Sequence, residues 1–599
     1  MVKPSKPAPR PLIASPPARL DFSRDSGPVS LDFDDIYYSV DDGLEEARDV
    51  FLKACGLPAR WQGRERFTIG ELGFGSGLNF LAVWELWREY RPSPTARLHF
   101  VSVEGFPLSK DELTRALAPW DALSELSALL IEKWPGRVLG QHRLELDDGV
   151  VLTLCHDAVD GALANLTMRA DSWFLDGFSP AKNADMWSEA VFSRIYDLSA
   201  AGAMVGTFTV AGFVRRGLAA AGFDVSKQPG FGRKRERLEA VKAGETAPPM
   251  PKPNPVVIGS GIAGASLARS FALRGVIPVI IDAEDGTAAS GNLAAIVKPR
   301  LDLQDRPESR FYLAAYLYAQ AAYEGHTLSR GVAHLAKSES EAGRFVKMAK
   351  QGALPLSHMR WLGAAQMQDR SGLENEFGGL WFDRAPVINP AGITGAWTCA
   401  ARRITGRVTA LKFENDMWNV YGADNALLAS GSDIYVCAGA DIERLLPGIS
   451  VRYTRGQVTR ARISSGDNPL KCAVNYGGYA ISLGPKNLGN FLLGATHGWL
   501  DWEKAYALRE ADEASNMDGF KRVSGCDVEA FGGRASVRVT TVDTLPIFGP
   551  VGRNGLHVMT GLSGRGFVYA PLLAEQMVSD IMGETAAMTH AACARFLPK

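Results

Sequence analysis

Apolar and polar positions along the chain predict strands that alternate with helices. In the first 240 residues, apolar runs at 67–72, 98–103, 151–155, 172–175 and 203–208 predict strands. Between the first two runs, the apolar residues of 78–90 recur with helical spacing. Because strands that alternate with helices form parallel sheets covered on both faces, we expect this part of the chain to be an α/β domain.

A second strand–helix–strand pattern begins at residue 256. The stretch 256–281 reads VVIGSGIAGASLARSFALRGVIPVII, and Asp282 follows it. The pattern predicts a strand, a glycine turn, a helix and a second strand that ends in a carboxylate. Farther along, 434–439 predicts another strand that runs into a glycine turn. This order favours a nucleotide-binding domain that is interrupted by a substrate domain.

The chain has 599 residues, which is too long for a single hydrophobic core. The stretch 241–255 is rich in proline and small residues and has no apolar periodicity, so it is interpreted as a linker. Residues 1–20 are proline-rich and predict a disordered arm. We therefore expect one domain at 21–240 and a second at 256–599.

Composition narrows the classes of protein to consider. The formal net charge is -1, so no global positive field indicates a polyanionic partner, although a local basic patch would be sufficient for one. The seven cysteines are scattered without a C-x-x-C pair, which predicts neither a disulfide framework nor a metal site. Without an apolar leader or an apolar run long enough for a membrane span, the expected location is the cytoplasm.

The glycine turn of the second half has the spacing of a dinucleotide site. Gly259, Gly261 and Gly264 fit G-x-G-x-x-G, between a predicted strand and a predicted helix. The glycines permit a tight turn and close approach of the backbone to a pyrophosphate, which the helix N-terminus favours. Asp282 ends the next strand, where a carboxylate accepts hydrogen bonds from ribose hydroxyls.

Three later segments resemble FAD-dependent amine oxidoreductases of the glycine oxidase and sarcosine oxidase type. They are SGN at 290–292, VRVTTVDTLPIFG at 537–549 and TGLSGRGF at 560–567. In that family the last segment returns to the flavin ring. The resemblance therefore implies bound FAD, with contacts from Ser290, Gly291, Asn292, Gly561, Gly564, Arg565 and Gly566.

The same resemblance implies roles for individual side chains of the second half. Arg538 matches the arginine that holds the substrate carboxylate; the alternative is a structural ion pair with an acid such as Asp543. Arg565 contacts the flavin, the substrate or an RNA phosphate. Tyr479 either lines the substrate pocket or belongs to the core, and Lys298 faces either the flavin or water.

The first half carries a different glycine motif. Glu71, Gly73, Gly75 and Gly77 form E-x-G-x-G-x-G between a predicted strand and a predicted helix. This spacing resembles motif I of S-adenosylmethionine-dependent methyltransferases with a Rossmann-like fold. The resemblance implies that Glu104, at the end of the next strand, holds the ribose hydroxyls and that Asp157 contacts the adenine.

The sequence DGFSP at 176–180 follows a predicted strand at the usual position of the methyl acceptor in this fold. Asp176 is a candidate to orient a substrate amine and take its proton, or it caps the following turn. Phe178 is a candidate substrate contact. The basic residues Arg233, Lys234 and Arg235 are either a solvated face or contacts for RNA phosphates.

Together the two halves resemble the family of bifunctional tRNA 5-methylaminomethyl-2-thiouridine biosynthesis proteins. Supporting stretches include ELGFGSGLNF, FLDGFSPAKNADMW and VTTVDTLPIFG. The resemblance implies an N-terminal Rossmann-like methyltransferase and a C-terminal FAD-dependent oxidoreductase of the glycine and D-amino-acid oxidase type.

The implied substrate is the wobble uridine of tRNA. The FAD-dependent half would remove a carboxymethyl group from its 5-carboxymethylaminomethyl substituent, and the other half would methylate the resulting amine. No membrane and no obligate protein partner are expected. Two alternatives remain: the fusion acts on a free small amine, or one half is a degenerate module that only helps to bind tRNA.

Overall fold

The computed structural model describes residues 10–23, 27–38, 43–232, 235–245, 248, 250–464, 467–484, 489–552 and 554–598. The chain divides into two units. The front unit comprises Ile13–Pro251 and Ser579–Ala592. The back unit comprises Met1–Leu12, Lys252–Val578 and Cys593–Lys599.

In the described residues, the front unit contains a mainly parallel sheet and a separate sheet made by its first three short strands. Its strands are β1 (Leu20–Asp21), β2 (Val29–Ser30), β3 (Asp35–Ile36), β4 (Arg66–Leu72), β5 (Arg97–Glu104), β6 (Gly140–Glu145), β7 (Val150–His156), β8 (Ala170–Leu175), β9 (Ser199–Thr207), β10 (Asp224–Pro229) and β11 (Glu236–Val241). Its helices are α1 (Gly43–Ala47), α2 (Leu78–Tyr90), α3 (Lys110–Leu117), α4 (Ser124–Lys133), α5 (Val159–Asn165), α6 (Glu189–Leu198) and α7 (Gly212–Ala221). Arg48–Lys53 continues α1 as a π-helix.

Within the described residues, the main sheet of the front unit has eight strands in the order β10-β11-β9-β8-β4-β5-β7-β6. The strands from β9 to β7 in this order are parallel, and β10, β11 and β6 pair antiparallel at the two sides. Strand β7 is buried along its whole length, as expected for a strand covered on both faces. The predicted α/β architecture of this half is confirmed, and α2 has the predicted bounds.

The back unit combines a nucleotide-binding sheet with a second, mixed sheet. Its strands are β12 (Pro255–Ile258), β13 (Val279–Asp282), β14 (Ala295–Ile296), β15 (Thr327–Leu335), β16 (Arg360–Leu362), β17 (Gly379–Ile388), β18 (Arg402–Thr405), β19 (Ala410–Glu414), β20 (Met417–Tyr421), β21 (Leu427–Gly431), β22 (Asp433–Val436), β23 (Arg452–Ile463), β24 (Ala473–Asn475), β25 (Tyr479–Ser482), β26 (Asn490–Gly494), β27 (Val528–Thr540), β28 (Ile547–Pro550) and β29 (Leu556–Thr560). Its helices are α8 (Ile262–Ala272), α9 (Pro307–Ala322), α10 (Glu339–Gln351), α11 (Ala364–Ser371), α12 (Pro390–Thr398), α13 (Ile442–Leu445) and α14 (Glu510–Ser524). The residues of α15 (Gly566–Ile581) and α16 (His590–Phe596) are divided between the two units.

The first sheet of the back unit has the order β18-β13-β12-β22-β29-β28 in the described part of the chain. All its pairs are parallel except β28 with β29. The mixed sheet has the order β14-β17-β15-β24-β25-β26-β23-β27, with β16 added beside β17, and β19, β20 and β21 form a small separate sheet. The sequence between β13 and β22 supplies much of the mixed sheet, which agrees with the predicted interruption of the nucleotide-binding domain.

Three predicted boundaries are corrected by the structure. Residues 10–20 were predicted to be disordered, but Leu12 and Ser15 are both 2% exposed, and their N–H groups donate to Leu303 O at 3.0 Å and Arg137 O at 2.8 Å. Proline removes donors from this segment, but burial of its apolar residues and these two bonds still fix it. Residues 1–9 lie outside the described residues.

The predicted linker 241–255 is also too long. Val241 ends β11 and Pro255 begins β12. The N–H of Lys242 donates to Ala203 O at 2.9 Å, and its Nζ donates to Tyr196 O at 2.8 Å. Backbone pairing with β9 therefore extends past the composition change that marked the predicted boundary.

The third correction concerns 579–592, which was predicted to belong to the second domain and lies in the front unit. Gln141 Nε2 donates to Ala586 O at 2.8 Å, and the N–H of Ala586 donates to Thr167 O at 2.9 Å. His99 Nε2 lies 3.4 Å from Glu584 Oε2, and both side chains are at most 1% exposed. Such contacts between residues far apart in sequence leave no local pattern.

A buried ion pair gives a stability prediction for the back unit. Arg274 donates two hydrogen bonds to Glu575, at 2.8 and 3.0 Å, and the side chains are 1% and 0% exposed. Glu575→Ala leaves an uncompensated buried guanidinium, so we expect a loss of about 3–5 kcal/mol in the free energy of unfolding. Urea unfolding followed by near-ultraviolet circular dichroism measures the loss.

The matched control is Glu324→Ala, which removes the exposed partner of Arg330. Because exposed ion pairs contribute at most about 1 kcal/mol, this variant should unfold close to the wild-type midpoint. Equal losses in both variants would contradict the role assigned to the buried pair.

Candidate functional site

The front unit has a cavity of about 400 Å³ at the carboxyl ends of β4, β5 and β8. Its wall includes Gly73 and Gly75 after β4, Glu104 at the end of β5, and Asp176 and Phe178 after β8. Ligands of open α/β sheets bind at this edge, where the strands end and the loops diverge. The structure therefore brings these five predicted site residues together.

The turn after β4 requires glycine at position 73, because there is no room for a side chain there. Gly73 has φ +89°, and a Cβ atom there would lie 2.7 Å from Asp176 O. The N–H of Gly73 donates to Val103 O at 2.9 Å, and the N–H of Asp176 donates to Leu72 O at 3.1 Å. Close approach of the two loops thus places Asp176 beside the glycine turn.

Glu104 is fixed at the cavity by backbone donors. Its Oε2 accepts the Gly75 N–H at 2.9 Å and its Oε1 accepts the Phe106 N–H at 2.8 Å. Burial raises the pKa of Glu104, while these backbone hydrogen bonds lower it. The described residues that line the cavity near the end of β7 include Ala158 and Asp160 but not Asp157, and contact of Asp157 with the adenine stays a prediction.

A chain of buried hydrogen bonds leads from the sheet to Asp176. Ser102 Oγ donates to Glu71 Oε2 at 2.6 Å. Asn79 Nδ2 donates to Glu71 Oε1 at 3.2 Å and to Asp176 Oδ2 at 2.7 Å. Glu71 is 1% exposed, and burial raises its pKa to about 8. Glu71 therefore lies behind the cavity and holds Asn79, which in turn orients Asp176.

Sequence reasoning did not single out Asn79, although the residue stands one position after the start of α2. That position directs its side chain toward the ends of the neighbouring strands. Gly77 precedes α2 and has φ +77°, so it serves the start of the helix. The carboxylate-to-amide spacing of Glu71 and Asn79 was the signal available in the sequence.

Aromatic rings form another part of the cavity wall. Phe178 stacks on Phe33, with ring centroids 4.8 Å apart, and meets Tyr37 edge-on at 5.2 Å. The N–H of Ser179 donates to Asp35 Oδ2 at 2.9 Å. Residues around β3 thus cover the predicted acceptor loop. Sequence reasoning missed Phe33 and Tyr37 because no motif accompanies them.

The predicted basic cluster is only partly visible. Arg233 and Lys234 lie outside the described residues. Arg235 is exposed, and its carbonyl accepts the Gly230 N–H at 3.0 Å. The nearby Arg237 is engaged with Asp49 at 2.6 Å. RNA phosphate contact by this cluster remains a prediction.

In the back unit, the G-x-G-x-x-G turn follows β12. Gly259 has φ +100°, and a Cβ atom there would lie 2.4 Å from Cys437 O, after β22. Asp282 Oδ2 accepts the Ser260 N–H at 2.6 Å. Ser290 Oγ accepts the Ile262 N–H at 3.0 Å, at the start of α8. The turn, the strand-end acid and the helix start are therefore arranged as predicted.

The loop that carries 290–292 is held by an arginine that sequence reasoning missed. Arg534 donates to Gly286 O at 2.9 Å, to Asn292 Oδ1 at 3.4 Å and to Ala288 O. A Cβ atom at Gly291 would lie 2.8 Å from the same guanidinium. Arg534 lies on β27, four residues before Arg538, and no spacing rule connects it with this loop.

The C-terminal glycine-rich segment returns to the start of α8. A Cβ atom at Gly566 would lie 3.1 Å from Ile262 Cγ2. Gly561 and Gly564 belong to the turn that leads into α15. Burial, and next the charge of Arg565, lower the pKa of Lys298 to about 7.

Arg538 is available for an anionic ligand. Its Nη1 donates to Thr496 O at 3.2 Å and lies 3.3 Å from His497 Nδ1. The alternative ion pair with Asp543 is wrong, because Asp543 pairs with Arg595 at 3.1 Å. Among the described residues, no carboxylate pairs with Arg538. Burial raises the pKa of Tyr479 to about 12, while the charge of Arg538 lowers it.

Two features are absent from the described part of the chain. It contains no helix with both the length and the apolar character needed to cross a membrane. It also contains no group of three or more His, Cys, Asp or Glu side chains arranged to hold a metal ion.

Known families and proteins match both units. Residues 121–243 match the family described as S-adenosyl-L-methionine-dependent methyltransferase, and residues 255–579 match the family described as FAD dependent oxidoreductase. A protein of Maricaulis maris named tRNA 5-methylaminomethyl-2-thiouridine biosynthesis bifunctional protein MnmC is 41% identical over 96% of this chain and 94% of its own. The protein of the same name from Caulobacter vibrioides is 41% identical over 95% of each chain.

The chain belongs to the MnmC family. Among solved structures, iminodiacetate oxidase from Chelativorans sp. BNC1 is 19% identical, covers 58% of this chain and 99% of its own, and has a TM-score of 0.49. In agreement with membership of the MnmC family, the front unit is a methyltransferase that uses S-adenosyl-L-methionine and the back unit is an oxidoreductase that uses FAD.

The residues present fit both cofactors of the MnmC family. In the front unit, the 400 Å³ cavity offers the carboxylate of Glu104 and the backbone of the Gly73–Gly75 turn. In the back unit, the glycine turn runs directly into α8, with Gly261 at its N-cap, and a helix N-terminus is where a pyrophosphate is favoured. Asp282 ends β13 at the position of a ribose contact.

The hydrogen bond from Asn79 to Asp176 gives a prediction for the methyltransferase. We expect Asn79→Ala to lower kcat for methyl transfer about 10- to 100-fold, because a misplaced catalytic group can cost about 100-fold in rate. Binding of S-adenosylmethionine should change little. Asn165→Ala, which removes an amide on α5 that donates to Gly161 O, is the control with wild-type rates. Steady-state methyl transfer with a wild-type kcat in the Asn79 variant would refute the role.

The buried Glu71 gives a pH-dependence prediction. Its pKa is about 8 in the folded chain against an ordinary 4.5, so the folded state binds a proton that the unfolded state releases between these values. The stability from the neutral carboxyl is present below pH 4.5 and is lost as pH rises through about 8. The melting temperature of the front unit should fall over this range, and Glu71→Gln should flatten the fall. The exposed Glu125→Gln should leave the profile unchanged, and a wild-type slope in the Glu71 variant would contradict the assignment.

Proposed function

We propose that this chain modifies the wobble uridine of tRNA in two steps. The back unit removes the carboxymethyl group from 5-carboxymethylaminomethyl-(2-thio)uridine, which leaves a 5-aminomethyl group. The front unit then methylates this amine to 5-methylaminomethyl-(2-thio)uridine. The tRNA activity named for the relatives supports the proposal. Because the substrate is tRNA, we infer that the reaction takes place in the cytoplasm.

The observation that carries the proposal is a pair of complementary charged groups in one chain. Arg538 is a half-buried guanidinium without a carboxylate partner among the described residues. Asp176 is a carboxylate held in the methyltransferase cavity. The proposed substrate presents a carboxylate before the first step and a primary amine before the second. Each site thus offers the charge that its own substrate needs.

Arg538 acts in the first step as the carboxylate contact. A guanidinium binds a carboxylate through two parallel hydrogen bonds, which fixes the orientation of the adjacent N–CH₂ group. FAD, when bound, supplies the two-electron oxidation of this N-substituted glycine. Water then hydrolyses the substrate imine, so that glyoxylate departs and the aminomethyl group stays on the uridine. Tyr479 is proposed as a further side chain of the substrate pocket.

Asp176 acts in the second step on the amine. An amine attacks a methyl donor only through a free lone pair, so it must be neutral. The carboxylate accepts one amine N–H, which directs the lone pair toward the methyl group, and it takes the proton that the product loses. Asn79 orients the carboxylate from behind. S-adenosylmethionine, when bound, supplies the methyl group.

Nucleoside mass spectrometry with two variants tests the order of the steps. With tRNA that bears the carboxymethylaminomethyl group, the wild type should give aminomethyl product without S-adenosylmethionine and methylaminomethyl product with it. Asp176→Asn should accumulate the aminomethyl nucleoside, because only the second step is impaired. Arg538→Ala should leave the starting nucleoside and should still methylate tRNA supplied with the aminomethyl group.

Two surface variants serve as controls. Asp111→Asn lies on α3, and Arg402→Ala lies on β18 and is exposed. Both should give the wild-type product pattern. A different result would contradict the tRNA assignment: a wild-type protein that holds FAD and oxidises a free N-substituted glycine, but leaves tRNA unchanged. This result would favour the small-amine alternative.

A further inference from the structure

The loop after β26 presents a fully accessible indole. Trp499 is 90% exposed, more than any other large apolar residue of the described chain. Trp502, on the same loop, is 54% exposed and packs edge-on against Tyr453. Isolated exposed apolar residues are common on protein surfaces, so exposure alone indicates nothing. The hydrogen bonds that attach the loop, and the residues next to it, indicate that this indole binds a ligand.

The loop is held at several points by β23. The N–H of Thr496 donates to Gln457 O at 3.2 Å, and Thr496 Oγ1 accepts the Gln457 N–H at 3.1 Å. The N–H of Gly498 donates to Arg455 O at 2.9 Å, directly before Trp499. An anchored backbone loses little conformational entropy when a side chain that it carries binds a ligand. The fold therefore fixes the backbone from which Trp499 projects.

The loop also reaches Arg538. His497 Nδ1 lies 3.3 Å from Arg538 Nη1, and Trp499 follows two residues later. Two residues span at most about 7 Å of chain. In the proposed substrate, four single bonds of about 1.5 Å each join the carboxylate carbon to the pyrimidine ring. A carboxylate on Arg538 thus brings the pyrimidine within the length of one side chain of the loop.

The charges on the loop favour a neutral ligand for the indole. Asp501 and Glu503 are both exposed and flank Trp502, with Lys504 after them. The two carboxylates of this loop repel a phosphate, so a contact with the RNA backbone is disfavoured here. A pyrimidine ring carries no net charge and stacks on aromatic side chains.

We propose that Trp499 is the stacking platform for the pyrimidine ring of the substrate uridine while Arg538 holds its carboxylate. This inference rests on the proposed function and assigns recognition of the base to a residue outside the reacting atoms. Trp499 is therefore a specificity-determining residue that separates a uridine-linked glycine from a free one. The neighbouring Trp502 is held by Tyr453 and supports the loop.

Steady-state kinetics of the FAD-loaded full chain test the proposal. Loss of one base-stacking contact corresponds to about a 5- to 140-fold weaker interaction. We expect Trp499→Ala to raise KM for tRNA bearing the carboxymethylaminomethyl group by such a factor, with kcat within about threefold of wild type. Trp499→Phe, which keeps an aromatic face, should restore most of the loss. Leu356→Ala removes another exposed apolar side chain, 72% exposed, and should leave KM unchanged.

Tryptophan fluorescence gives a readout that does not depend on turnover. The free nucleoside 5-carboxymethylaminomethyluridine is added to the anaerobically reduced enzyme, which binds it without oxidising it. Quenching should be present in the wild type and in Leu356→Ala, and strongly reduced in Trp499→Phe. A wild-type KM in Trp499→Ala, or full quenching in Trp499→Phe, would overturn the inference.

The outcomes separate this inference from the function on which it rests. A wild-type enzyme that leaves tRNA unchanged contradicts the proposed function. A wild-type enzyme that converts tRNA, with a Trp499→Ala variant that does so at the same KM, contradicts only the stacking role.

Discussion

A Cβ atom at Gly73 would lie 2.7 Å from Asp176 O, and one at Gly259 would lie 2.4 Å from Cys437 O. In each unit, two parallel strands end side by side, and the backbone after one strand almost touches the backbone after the other. The rest of each site depends on this contact. It places Asp176 at the methyltransferase cavity in one unit, and in the other it brings the glycine turn before α8 against the backbone that follows β22.

The two sites then differ in how they manage charge. In the front unit, the buried Glu71, whose pKa burial raises, holds an amide, which holds the carboxylate of Asp176. In the back unit, Arg538 is left with a carbonyl and an imidazole instead of a carboxylate. Leaving a half-buried guanidinium without an anion is unfavourable unless a ligand supplies one. The two arrangements suit an amine and a carboxylate, which are the groups present before the second and first proposed steps.

Local sequence patterns were enough for the parallel sheets, the glycine turns and the carboxylates at the ends of β5 and β13, because each is encoded by neighbouring residues. They could not predict contacts made by distant segments. Phe33 packs on Phe178, Arg534 binds the loop at 286–292, and Asp543 pairs with Arg595 rather than with Arg538. The proline content also led to a wrong prediction of disorder at 10–20. Burial of Leu12 and Ser15 outweighs the lack of backbone donors there.

The segment 579–592 has a consequence for synthesis of the chain. Its carbonyls and Glu584 meet Gln141, Arg143 and His99, which are buried on β5 and β6. The ribosome makes these partners hundreds of residues before it makes the segment that covers them. The front unit therefore cannot complete its fold until the back unit has been translated. Until then, the polar side chains that this segment covers are exposed to water. A gene cut at the proline-rich junction would produce a methyltransferase that lacks this piece.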